Sequence, residues 1–190
     1  MTVRRFDIPS RVPVSRLREI ASLSDAAYTL IDTNPMDLKW VDLGIERMLQ
    51  VASYTGAAML YADHFRSEEG GVFPHPLIDL QEGALRDDFD FGGVQLYRTD
   101  ALRTAVAQMD EDYEYAGLYD LRLRVSRLGR IVHINEFLYY EVELDTRKSG
   151  EKLFDYVDPR NRAVQIEMEK ACTAHLKAVG GYLRPEFKSV

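Results

Sequence analysis

The stretch Gly117–Glu141, GLYDLRLRVSRLGRIVHINEFLYYE, decides how the rest of the chain is read. Leu121, Val125 and Leu128 recur at i, i+4 and i+7, which predicts an amphipathic helix with Arg122, Arg124 and Arg127 interspersed. Asp120 stands where that helix should begin, and Gly129 where it should stop. The β-rich run Ile131-Val132-His133-Ile134 follows, and Asn135-Glu136 leads into Phe137-Leu138-Tyr139-Tyr140. A carboxylate at a helix N-terminus is stabilised as an anion by about 0.3–1 kcal/mol. Asp120 is therefore either an ordinary cap or a base kept ionised at neutral pH.

Working outward, the upstream half alternates between the two periods. Val3–Ile8 reads as a short strand and Val14–Leu23 as a helix with Leu17, Ile20 and Ala21 on one face. Ala27–Ile31 is a compact apolar run that ends in Asp32-Thr33-Asn34-Pro35, a buried strand followed by a polar loop. Val41, Ile45, Met48, Leu49 and Ala52 mark a helix over 37–53, and Ala57–Ala62 is a second buried strand closing on Asp63-His64. This β-α-β-α-β order predicts right-handed crossovers and a parallel sheet with packed helices. Residues 65–90 read as a long loop that could hold a short hairpin. Phe91–Tyr97 is a strand bearing Gly92-Gly93, Thr99–Met109 a helix, and a last helix is expected at about 159–179, with Asp158 as its cap and Pro159 at its first position.

The bulk numbers bound the function. With 190 residues one domain, 1–190, is expected, and a net charge of -7 argues against binding nucleic acid through a basic surface. A single cysteine, Cys172, leaves no intrachain disulfide and no cysteine-built zinc site, so a cytoplasmic setting is expected. No apolar run reaches membrane-spanning length. The 11 Tyr, 8 Phe and 1 Trp suit either a core or a surface that binds sugars or peptides.

In order and spacing, AYTLIDTN, TGAAMLYADHF, FGGVQLYRTDALR and YAGLYDLRLRVSRLGRIVHINEFLYYE resemble segments of the family 2 glycosyltransferases, over about residues 27–147. The resemblance implies a GT-A-like, Rossmann-like α/β fold: a mixed, mostly parallel sheet flanked by helices. It implies transfer of a sugar, of the hexosyltransferase type, from a nucleotide-diphosphate sugar to an acceptor hydroxyl with inversion. Asp32 and Asn34 would stand at the DXD motif and hold Mg²⁺ or Mn²⁺ against the diphosphate. Arg147 and Lys148 would pair with the same donor phosphates. Gly92 and Gly93 would lie on the acceptor side, and Asp120 would take the acceptor proton. The family opens its catalytic helix with Glu-Asp, whereas this chain has Tyr119-Asp120.

The front of the chain departs further. Only 31 residues precede Asp32, too few for the family's nucleotide-binding strands. The expectation is a shortened domain, one completed by another chain, or one that has lost transfer and binds a saccharide or a protein instead. A sheet lacking its first strands would also expose the Val3–Ile8 or Ala27–Ile31 edge to self-association. The residues themselves carry plainer readings: Asp32 as a turn former, Asp63-His64 as a strand-end turn, 87–90 as a solvated acidic loop, Arg147-Lys148 as a surface pair, Gly92-Gly93 as close packing or a bulge, and His133 as a satisfied histidine.

Overall fold

Tyr28–Asp32, buried at every position, is an inner strand of a seven-stranded mixed sheet. A computed structural model describes residues 2–8, 12–33, 38–68, 70–142, 162–184 and 186. The elements are β1 (Val3–Asp7), α1 (Val14–Leu23), β2 (Tyr28–Asp32), β3 (Lys39–Trp40), α2 (Gly44–Thr55), β4 (Met59–Glu68) and β5 (Gly71–His75). They continue with β6 (Val94–Arg98), α3 (Thr99–Ala107), α4 (Gly117–Leu128), β7 (Ile131–Val142) and α5 (Arg162–Ala178). The strand order is β1-β2-β6-β4-β7-β3, and β5 pairs with β4.

β1 runs parallel to β2, as the βαβ order predicts, and β4 runs parallel to β7. β6 inserts between β2 and β4 and is antiparallel to both, so the parallel strands form two separate pairs and the expected mostly parallel sheet is corrected to a mixed one. Alternating side chains build a core on each face. Ile31, Met59, Tyr61 and Tyr97 pack with residues of α1, α3, α4 and α5, while Leu30, Leu60, Ala62 and Leu96 pack with Met48 and Ala52 of α2. Strands covered on both faces lose the polar alternation of a half-solvated sheet, which explains their continuous apolar runs.

Several boundaries differ from expectation. β4 does not close at Asp63-His64 but continues to Glu68 and forms a hairpin with β5. Two register shifts against β7, around Asp63, absorb the irregularity. α2 begins at Gly44, and the short β3 before it pairs with β7. α4 begins one turn before Asp120, at Gly117. The expected start of the last helix at Asp158-Pro159 lies outside the described residues. The expected edge at Ala27–Ile31 is corrected as well: β2 is flanked by β1 and β6, so only β1 is an outer strand on that side.

Among the described residues no helix is long and apolar enough to cross a membrane.

Candidate functional site

Asp32 ends β2 at the carboxyl edge of the sheet, fully buried, where ligand sites gather in open α/β sheets. Its Oδ2 accepts a hydrogen bond from Arg5 Nη2 at 2.9 Å, across the β1–β2 pair. Thr33 follows, and its N–H and hydroxyl both donate to the Gly93 carbonyl, at 2.7 and 3.1 Å. The Gly93 N–H in turn donates to Glu141 Oε1 on β7. The three strand ends are thereby tied together.

Behind this edge lies a buried polar group. His64 stacks on Tyr139 with ring centroids 5.2 Å apart, and its Nε2 stands 3.3 Å from Glu141 Oε2 without the alignment of a hydrogen bond. Proximity to a carboxylate would favour the imidazolium. Burial opposes it and wins, with help from the positive charge of His75 and Arg66, so His64 is pushed down to about 4. Glu141 is pushed up, again chiefly by burial. Gly92 packs against the pair: its φ is +64, and a Cβ there would collide with Tyr139 Oη.

In front of Gly92 opens a cleft of about 240 Å³. Thr33, Gly92 and Gln95 form its sheet side, and Asp87, Phe89 and Phe91 its loop side. Tyr115, Leu118, Tyr119 and Arg122 come from α4 and its approach, and Met168 from α5. Two contacts hold the α4 wall. Glu167 of α5 accepts the N–H groups of Glu114, Tyr115 and Ala116 at 3.1, 2.7 and 3.1 Å. A Cβ on Gly117 would meet the Val12 carbonyl, so only glycine allows α4 to dock there.

Asp120 belongs to a different environment. Its N–H is used by the helix, donating to the Ala116 carbonyl at 2.9 Å, so it is not a cap. Its Oδ2 accepts from Arg124 Nε at 2.9 Å, and Arg124 also donates to the Gln108 carbonyl. Burial pushes the Asp120 carboxyl up and Arg124 pulls it back. The side chain is buried and does not line the cleft. The physical reason is helical geometry: Leu118, Tyr119 and Arg122 occupy the cleft-facing arc, and Asp120 and Arg124 are on another.

Of the residues singled out in the sequence, Gly92 lines the cleft, Gly93 supports it, and Asp32 lies one residue from it at Thr33. Asn34, Arg147 and Lys148 lie outside the described residues. Among the described residues no group of three or more His, Cys, Asp or Glu could hold a metal ion. Asp32 is one carboxylate already beside a guanidinium, which does not suit a hard divalent cation. Asp63 and His64 diverge, Asp63 accepting from Leu77 N–H at 2.7 Å and meeting His133 Nε2 at 2.8 Å. His133 Nδ1 reaches Asp79 at 2.8 Å, so that histidine is satisfied on both sides.

Sequence reasoning missed Tyr119, Arg122 and Glu141. Arg122 and Arg124, interspersed among the apolar positions of α4, are only 6% and 9% exposed. Arginine at consecutive even positions of a helix with this little other polarity was the available signal. No family model and no curated protein matches the chain at a significant level.

Proposed function

We propose that this chain is a glycosyltransferase-like domain whose working part is the acceptor side, a cleft that binds a saccharide. The observation that carries the reading is the convergence of Phe89, Phe91, Tyr115 and Tyr119 with Gly92 in one cleft, with Asp120 outside it. Aromatic rings present flat apolar faces to the C–H face of a pyranose, and a few polar groups at the rim orient its hydroxyls. Asp87 and Gln95 are available for that task. The glycine at position 92 lets the backbone of the cleft wall pack directly on Tyr139 and His64, where a side chain would collide.

A second reading, inverting transfer from a nucleotide-diphosphate sugar, is favoured by Asp32 at the end of β2, directly before Thr33 in the cleft wall. That reading asks Asp120 to leave Arg124 before it could accept a proton from an acceptor hydroxyl. Isothermal titration of the full chain with neutral and acidic oligosaccharides tests the first reading; heat confined to none of them defeats it. Titration with nucleotide-diphosphate sugars, with and without Mn²⁺, tests the second. Metal-dependent binding with product formation lost in Asp120→Asn would establish transfer and displace the binding reading.

A further inference from the structure

Arg122 is the least expected side chain in the cleft. It is 6% exposed, yet among the described residues no carboxylate stands within ion-pair distance of it. Its guanidinium carbon lies 4.8 Å from the Tyr119 ring centroid and 5.2 Å from that of Phe91. One nitrogen, Nη2, donates to the Arg86 carbonyl at 2.5 Å. Nε and Nη1 have no protein acceptor among the described residues, and the side chain lines the cleft. A guanidinium carries five donors in a fixed fork, and burying one without an anion costs far more than burying an apolar residue of its size. Two rings and a carbonyl offset part of that cost and leave the charge uncompensated. The nearby carboxylates are otherwise placed: Asp88 takes both Nε and Nη2 of Arg86 at 2.9 Å, and Asp87 stands on the cleft wall beyond ion-pair range. Burial holds the Arg122 guanidinium below its usual range, with Asp87 and Asp88 opposing from a distance.

We propose that Arg122 is the anchoring cation of the cleft, and that the ligand carries an oxyanion, a carboxylate or a phosphate, which seats on its free donor edge. Tyr119 and Phe91 hold the guanidinium plane, so the fork is oriented before the ligand arrives. That is the condition under which bidentate recognition adds most to affinity. The anionic part stands on Arg122 alone. Its identification with an acidic saccharide, such as a uronate, rests on the saccharide reading above. Asp87 is the intrinsic competitor, because it can approach the same donors and repels an incoming anion.

The test is titration of the full chain, followed by amide chemical shifts, with four probes: galacturonate oligomers, the matching neutral galactose oligomers, galactose 1-phosphate and inorganic phosphate. At least one anionic probe should bind tenfold or more tighter than its neutral counterpart, the discrimination expected of roughly two charge-assisted hydrogen bonds. Arg122→Gln should abolish the difference, Arg122→Lys should restore only part of it, and Asp87→Asn should tighten anion binding. Uronate and sugar phosphate arms separate a carboxylate from a phosphate source. Phosphate binding through Arg122 with no response to any saccharide would uphold the anion site and defeat the saccharide reading. Neutral and acidic oligomers binding equally, unchanged in Arg122→Gln, would overturn the anion site and keep the saccharide reading. No Arg122-dependent shift with any anion, in a chain whose Asp87→Asn form is equally silent, would also overturn it.

Discussion

His64 shows how one buried side chain sets a response to pH. Its folded value, about 4, lies below the ordinary 6.5, so the unfolded chain binds the proton more readily than the folded one. The contribution is therefore fully present above pH 6.5 and is lost as pH falls toward 4, up to roughly 3 kcal/mol at the limit. Glu141 and Asp120, both raised by burial, act in the opposite sense, gaining a proton more readily when folded. Urea denaturation at pH 7 and pH 4.5 should accordingly lose less stability in His64→Leu than in the native chain. Parallel losses in both would show that His64 is not the acid-sensitive group. A histidine beside an aspartate in the sequence read as a strand-end turn; its burial against Tyr139 and Gly92 comes from strands far apart along the chain.

At the scale of the element, α4 is the part whose sequence reading changed most. Its period was legible, since Leu121 and Val125 are fully buried as their spacing predicts, and Gly129 follows its last residue. Its start was not. The helix begins at Gly117 because the preceding residue Ala116 bridges Val12 and Glu167 gathers three N–H groups ahead of it, both contacts made by distant segments. This yields an expectation opposite to propensity. Alanine is better than glycine inside a helix by up to about 1 kcal/mol. At position 117 the obstacle is the backbone carbonyl of Val12, which cannot swing away as a side chain would. Gly117→Ala should therefore lower stability by about 1–3 kcal/mol, the usual range for overpacking. A rise in the urea midpoint would mean that α4 is free to shift on its neighbours.

For the whole molecule, the sheet leaves β1 as its outer strand beside β2, with Arg4, Arg5 and Asp7 exposed along it. Charges on a short edge strand oppose pairing with a second copy. Removing two of them in Arg4→Val with Asp7→Val should raise the mass measured by light scattering at high concentration. Unchanged mass in that variant would exclude β1 as a route to self-association. What the sequence by itself determined was local: the helical and strand periods, the doubly covered strands β2 and β4, and the separation of α/β units. These are legible because burial of a strand or a helix face imposes its period on neighbouring residues. Only the tertiary structure decided that β6 enters antiparallel between β2 and β4, that Asp120 turns to Arg124 while Arg122 faces the cleft, and that among the described residues Arg122 does so without a carboxylate at ion-pair distance. Those outcomes depend on contacts between residues distant in the chain, which no local pattern encodes.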